Sequence, residues 1–166
     1  TGPTWSILSC EFSRPVDAPC RSAHTGSMPL RLLQTVIDST DARRSAEFWR
    51  ELLGYHYRPG DEPPAAGEPD PNGTDWLTLA SPDGHRRLAF QQTEVVARST
   101  WPDAAVPQQL HLDLTVASWD ELQSEHARIL GLGGTLLLDR TDDPDEPLYV
   151  YADPDGQPFC VFVAAD

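Results

Sequence analysis

The hydrophobic pattern of the chain changes period several times, and each change predicts an element. An apolar run from Leu30 to Ile37 has the length of a strand. The side chains of residues 39–41 can cap a following helix, which runs to Leu53 and ends at Gly54. Three- and four-residue spacing in this helix forms an apolar stripe of Ala46, Trp49, Leu52 and Leu53. The stripe predicts that one face of the helix packs on a sheet.

Turn-forming residues divide the next segment into three further strands. A short strand is predicted at residues 55–58, and the loop at 59–73 is too rich in proline and glycine to hold a helix or a ladder. Strands at 76–80 and 87–92 flank the turn 81–84, where proline presets φ and glycine accepts a positive φ. The predicted order is therefore βαβββ.

The same order returns after a linker at residues 100–107. Strands are predicted at 110–116, 136–138, 148–151 and 159–163, with a helix that begins in a capping box at Ser118 and stops at Gly131. The same number of residues separates Gly54 from Gly131 and Gln34 from His111. The turn Ser81–Gly84 also returns, as Asp153–Gly156. This register indicates an internal repeat.

The repeat predicts an α+β fold of two tandem βαβββ modules, residues 30–94 and 108–165, within one domain at 28–166. Each module alone leaves one face of a small sheet uncovered, so the two must share a core or a cavity. Residues 1–27 show neither the two-residue period of a strand nor the 3.6-residue period of a helix, and we expect them to form an arm outside this fold. Two interpretations of the arm stay open: Met28 is the natural start of the protein, or the arm packs on a partner subunit.

Composition narrows the classes of partner. The 166 residues include 12 Lys and Arg against 26 Asp and Glu, for a net charge of -14, which repels phosphate backbones and anionic lipids. We therefore expect no nucleic-acid partner and no membrane partner. No apolar run approaches the roughly 20 residues that span a bilayer, and Cys10, Cys20 and Cys160 form no metal-type pair. Reduced thiols and a cytoplasmic location are expected. The chain has no phosphate loop, no dinucleotide fingerprint and no serine-hydrolase elbow.

Four motifs, in this order and spacing, resemble the vicinal-oxygen-chelate superfamily, which includes glyoxalase I, extradiol dioxygenases, fosfomycin-resistance proteins and bleomycin-binding proteins. The motifs are Leu30–Val36, Arg44–Gly54, Leu110–Leu114 and Asp153–Gly156. The resemblance implies that the eight strands form an incomplete barrel around a small-molecule site. It also implies that the protein is a homodimer, as many members are.

The resemblance also implies where a metal would bind. Metal-dependent members use one ligand in the first strand and one in the last strand of each module. The first-strand positions match Gln34 and His111, whereas the last-strand positions match Leu88 and Cys160, or Phe90 and Phe162 after a slip of two residues. None of these last-strand residues is a carboxylate, which magnesium and manganese prefer. We therefore expect no metal, with zinc, nickel or manganese as the alternative.

Polar residues on the first strand of the second module are candidates for the site. His111 and Asp113 alternate with leucines, so both face away from the leucine side and toward a cleft. An imidazole can exchange a proton near neutral pH, which makes His111 the candidate general base. Gln34 can orient a carbonyl or a hydroxyl. The alternative for these side chains is that they are ordinary polar residues of a filled barrel.

The sequence thus predicts a small-molecule-binding protein that needs no metal and holds an apolar or aromatic metabolite or antibiotic in the barrel cleft. Its polar anchors are Gln34, His111 and Asp113, and its apolar wall is Leu88, Phe90, Cys160 and Phe162. We expect Cys160 to be a buried thiol and not a nucleophile, because its apolar strand offers no basic neighbour. Three alternatives stay open: a metal-dependent lyase or isomerase resembling glyoxalase I that uses Gln34 and His111, a metal-free catalyst with His111 as base, and an assembly domain without ligand chemistry.

Overall fold

A computed structural model of the chain describes residues 29–164. The expectations for the arm at 1–27, and for Cys10 and Cys20, lie outside the described residues. The helices and strands of the described residues all belong to one compact unit, which begins at Leu32. No helix in the described part of the chain is long and apolar enough to cross a membrane.

Each module has the predicted order of elements. The first contains β1 (Thr35–Ser39), α1 (Ala42–Leu53), β2 (His56–Tyr57), a short 3-10 turn (Asn72–Thr74), β3 (Trp76–Ala80) and β4 (Arg86–Gln92). The second contains β5 (Leu112–Val116), α2 (Trp119–Gly131), β6 (Thr135–Arg140), β7 (Leu148–Ala152) and β8 (Pro158–Val163).

Several boundaries differ from the sequence prediction by a few residues; the first strand of the second module, for example, begins at Leu112 and not at residue 110, so His111 lies just before it. The first strand of the chain begins at Thr35 and not at Leu30. Its pairing with β4 begins at Thr35, which lies opposite Leu88. The second helix includes Gly131, and Gly133 takes the positive φ of 102° beyond its end. The first helix does end as predicted, with Gly54 in the left-handed conformation at φ 64°.

The strands form two four-stranded mixed sheets, in the orders β1-β4-β3-β2 and β5-β8-β7-β6. In each sheet the first strand is parallel to the last strand of its module, and the remaining pairs are antiparallel. The sheets do not close on each other, which confirms the α+β fold with an incomplete barrel. Strands β1 and β5 are therefore both edge strands.

A shared core joins the two modules. Helix α1 packs on β3 and β4 of its own sheet, and its Trp49 also meets Phe159 of β8, with ring centroids 5.0 Å apart in an edge-to-face arrangement. Trp49 and Phe159 are both fully buried. Such aromatic pairs add about 1 kcal/mol beyond the area that they bury.

The turn between β7 and β8 is fastened to the first module by two buried carboxylates. Asp155 accepts hydrogen bonds from the hydroxyls of Ser45 at 2.6 Å and Thr40 at 2.8 Å, and also from Ser39. Asp153 accepts one from the indole Nε1 of Trp49 at 3.1 Å. These contacts fix the start of β8 against α1.

Candidate functional site

Strands β5 and β8 bring three predicted site residues together. Asp113 of β5 pairs in register with Cys160 of β8, and His111 lies two residues before Asp113. Side chains two apart on extended backbone share a face, so all three point away from α2. Their ligand atoms lie within 4.8 Å of one another. The His111 Nε2 atom is 3.4 Å from the nearer Asp113 oxygen.

The electrostatics of this cluster argue against a nucleophilic cysteine. Burial of Cys160, together with the negative charge of Asp113 beside it, raises the pKa of the thiol to about 11. The thiol is therefore protonated at neutral pH, and only the thiolate is a strong nucleophile. His111 and Asp113 are exposed, with 41% and 57% of their side-chain surface accessible, so both can reach a ligand.

The predicted apolar wall is divided between two faces. Phe162 lies two residues beyond Cys160 on β8 and shares its face. Leu88 and Phe90, in contrast, lie in the core that contains α1 and are 5% and 0% exposed. They do not join the surface around His111, and their predicted place beside Cys160 and Phe162 is corrected here.

A register shift explains the difference. Leu79 of β3 pairs with Leu88, whereas Ala80 pairs with Arg86, which leaves Arg87 as an extra residue in β4. One extra residue turns every later side chain to the opposite face. The ladder between β7 and β8 has no such shift. Equal spacing from the turn glycine therefore reaches opposite faces in the two modules.

Gln34 makes no hydrogen bond with His111, Asp113 or Cys160. It precedes β1 by one residue and shares its face with Val36 and Asp38, which points away from α1. Its side-chain Oε1 is buried and has no hydrogen-bond partner within the described residues. A buried acceptor without a partner is unfavourable, so this amide is suited to receive a donor from a ligand.

A crevice of about 360 Å³ lies between the two edge strands β1 and β5. Its apolar lining consists of Val36, Ile37, Trp49, Leu110, Leu112 and Pro158. Its polar lining consists of Asp38, Gln91, Gln109, His111 and Gln157. An apolar floor with a few converging polar groups is the usual character of a small-molecule site.

Sequence reasoning found His111 but missed the four other polar residues of the crevice. Asp38 lies four residues after Gln34 and therefore on the same face of the extended chain, so strand alternation could have found it. Gln91 could not, because the extra residue in β4 changes its face. Gln109 and Gln157 lie just outside strands, where alternation gives no direction.

The donor set does not fit the metal arrangement that the resemblance implies. Strands β4 and β8 contain no Asp and no Glu, so the two last-strand carboxylates are missing. A hard ion such as magnesium lacks its preferred oxygen ligands here. Zinc, in contrast, accepts nitrogen, oxygen and sulfur ligands. The cluster of His111, Asp113 and Cys160 offers one ligand of each type.

Comparisons with known proteins agree with the fold. The family model described as Glyoxalase-like domain matches residues 34–162. A search of curated proteins finds no match to the chain.

Three solved structures illustrate the similarity. A fosfomycin resistance protein, FosX, from Listeria monocytogenes has a TM-score of 0.58 at 12% identity, over 83% of this chain and 96% of that chain. A glyoxalase-related enzyme from Fulvimarina pelagi has a TM-score of 0.55 at 19% identity, over 81% and 88%. A glyoxalase/bleomycin resistance protein/dioxygenase family enzyme from Burkholderia phytofirmans PsJN has a TM-score of 0.55 at 12% identity, over 79% and 96%. At these identities the similarity establishes the fold alone.

Proposed function

The chain belongs to the Glyoxalase-like domain family, and from this premise we propose that it binds a small molecule in the crevice between β1 and β5 without needing a metal. The observation that carries the proposal is the crevice itself. Its volume of about 360 Å³ suits a small organic ligand. Its floor is apolar, while His111 and the amides at its rim can orient polar groups.

The chemistry of the lining favours an apolar or aromatic ligand with a few polar substituents. The leucine, isoleucine and tryptophan side chains of the floor gain free energy by excluding water from a ligand of this kind. His111 is the polar anchor of the crevice just before β5, and Asp113, which lies outside the lining, is 3.4 Å from its Nε2 atom. Gln34 is a further donor and acceptor on the face of β1 that points away from α1.

Metabolites and antibiotics both fit this description. The Listeria monocytogenes neighbour is named as a fosfomycin resistance protein, and the Burkholderia phytofirmans neighbour as a member of a family that includes bleomycin resistance proteins. These names motivate fosfomycin and bleomycin as comparison compounds, although fosfomycin is an anionic phosphonate and bleomycin is much larger than the crevice. We extend them to this chain only as candidates.

Calorimetric titration tests the proposal, with fosfomycin, bleomycin and a set of indole and phenyl metabolites as probes. The protein is treated with EDTA and kept in chelator, so that any binding is independent of metal. We expect saturable binding of at least one aromatic probe, and at least about fivefold weaker binding by His111→Ala, which corresponds to about 1 kcal/mol. His85→Ala is the matched control, because His85 is an exposed residue of the β3–β4 turn. Absence of binding across the set, or equal binding by both variants, contradicts the proposal.

A second candidate function is a metal-dependent lyase or isomerase, and the cluster of His111, Asp113 and Cys160 favours it. When bound there, a zinc ion would supply Lewis-acid chemistry. Elemental analysis of tag-free protein, purified without chelator and then supplied with zinc, nickel or manganese, separates the two candidates. Stoichiometric metal that is lost in His111→Ala and retained in His85→Ala supports the second candidate, and a metal-free protein supports the first.

We further propose that the protein is a cytoplasmic homodimer. Membership in a family whose members are often dimeric supports the dimer. Light scattering coupled to size exclusion measures the mass in solution. A mass of one chain at all concentrations contradicts the dimer.

A further inference from the structure

We propose that the crevice selects an organic cation: an amine or a similar positively charged nitrogen group attached to an apolar or aromatic body. This inference rests on the proposed function and names its ligand class. It also predicts that a ligand of the same shape with a carboxylate in place of the amine is rejected.

The first observation is the charge of the lining. Asp38 is the one carboxylate among the described residues that line the crevice, and it is exposed on the face of β1 that points away from α1. Its carboxylate takes no part in a hydrogen bond or an ion pair within residues 29–164. Within this part of the chain, a cation can therefore approach the carboxylate without first breaking another contact.

The second observation is that, among residues 29–164, no lysine or arginine lines the crevice to balance Asp38. The sequence contains no lysine. Most arginines of the described part are committed to carboxylates away from the crevice, as in the pairs Arg43–Asp70, Arg44–Asp155, Arg50–Glu47, Arg58–Asp61, Arg87–Asp83, Arg128–Glu125 and Arg140–Asp143. Arg98 donates to the carbonyl of Pro154. Among the described lining residues, a carboxylate or phosphonate ligand would therefore find no lysine or arginine as a counter-charge.

The third observation is the supply of neutral acceptors around Asp38. Gln91 pairs in register with Asp38 and shares its face, and Gln157 lies in the same lining. An ammonium group has three N–H donors and no acceptor. One carboxylate and two amide oxygens can therefore satisfy all three donors. The apolar floor, which includes Ile37 and Leu112, then receives the body of the ligand.

The charge of the whole molecule acts in the same direction. A net charge of -14 attracts cations from a distance and repels anions, and this effect decreases as salt is added. The long-range field and the local lining therefore favour the same class of ligand.

Three probes that share an indole body test the inference by calorimetry in EDTA: tryptamine is cationic, tryptophol is neutral and indole acetate is anionic. We expect tryptamine to bind about fivefold more tightly than tryptophol, which corresponds to a partly exposed ion pair of about 1 kcal/mol. We expect indole acetate to bind more weakly than tryptophol. Added salt should reduce both differences.

Asp38→Asn identifies the source of the selectivity, because it removes the charge and keeps the size of the side chain. We expect this variant to bind tryptamine and tryptophol with equal affinity. Asp142→Asn is the control, since Asp142 is exposed in the loop between β6 and β7, and it should retain the preference for tryptamine.

The outcomes separate this inference from the proposed function. If tryptophol binds and the charge of the probe makes no difference, or if indole acetate binds best, the charge selectivity is wrong while the crevice remains a binding site. If Asp38→Asn retains the full preference for tryptamine, Asp38 is not its source and the inference fails. If none of the probes binds, both the inference and the proposed site lose their support.

Discussion

The carboxylate of Asp155 accepts a hydrogen bond of 2.6 Å from the hydroxyl of Ser45, although the two residues belong to different modules. Asp155 is 3% exposed, and it also receives bonds from neighbouring hydroxyls and from Arg44. The turn that leads into β8 is thereby held against the start of α1. The position of the crevice wall at Gln157 and Pro158 depends on this contact.

Replacing Asp155 with alanine should destabilise the protein, because the buried hydroxyls of Ser39 and Ser45 lose their shared carboxylate acceptor. We expect the free energy of unfolding to fall by about 2–4 kcal/mol, measured by urea denaturation. Asp83→Ala is the matched control, since Asp83 occupies the corresponding place in the β3–β4 turn and 54% of its side chain is exposed. Equal destabilisation by the two variants would show that Asp155 does not join the modules.

The stability that Asp155 supplies should depend on pH. Burial alone would raise its pKa, but the hydroxyls of Ser39, Ser45 and Thr40 and the charge of Arg44 outweigh burial and lower it. The folded pKa thus lies below the unfolded value of about 3.9. The contribution is complete above that value and is lost as pH falls through the folded pKa. The difference in unfolding free energy between wild type and Asp155→Asn should shrink below about pH 4; a constant difference would contradict this sign.

The aromatic contact between the modules should dominate the core. Phe159→Ala removes a fully buried ring that contacts Trp49, and we expect it to reduce the free energy of unfolding by about 3–5 kcal/mol. Phe162→Ala removes the same group from the partly exposed face of the same strand and should have a smaller effect. Thermal and urea unfolding compare the two variants. A larger loss of stability in Phe162→Ala would contradict the assignment of Phe159 to the buried face of β8.

Much of this architecture follows from sequence alone, because the repeat copies local signals. Strand alternation, the caps at Asp41 and Ser118 and the αL glycine at Gly54 are short-range features, and each predicts its element directly. The face of His111 and Asp113 was also predictable, since β5 has a regular alternation.

The candidate site was predictable only in part, because its first-module wall depends on a ladder irregularity. The extra residue at Arg87 exchanges the faces of Leu88 and Ala89, and no residue type in that stretch signals a bulge. The crevice also depends on how the edges of two sheets approach each other. That approach is set by buried contacts such as Trp49 to Asp153, which join residues far apart in the chain.

Cys160 should react slowly with alkylating reagents. Its pKa of about 11, raised from 9.0 by burial and by Asp113, lowers the thiolate fraction at neutral pH about a hundredfold. Mass spectrometry can follow iodoacetamide labelling in a background where Cys10 and Cys20 are serine. Asp113→Asn should accelerate labelling, whereas Asp142→Asn should not. Labelling as fast as that of free cysteine would contradict the protonated thiol.

Two-dimensional 1H–15N NMR during a tryptamine titration in EDTA shows directly whether a small molecule binds between β1 and β5, as we propose. Binding there predicts saturable shifts in the side-chain amides of Gln91, Gln109 and Gln157 and in the backbone of residues 36–38 and 110–112, the lining of the crevice. Shifts confined to other surfaces, such as the groove beside Arg128 and Ile129 of α2, or no shifts at all, would contradict it.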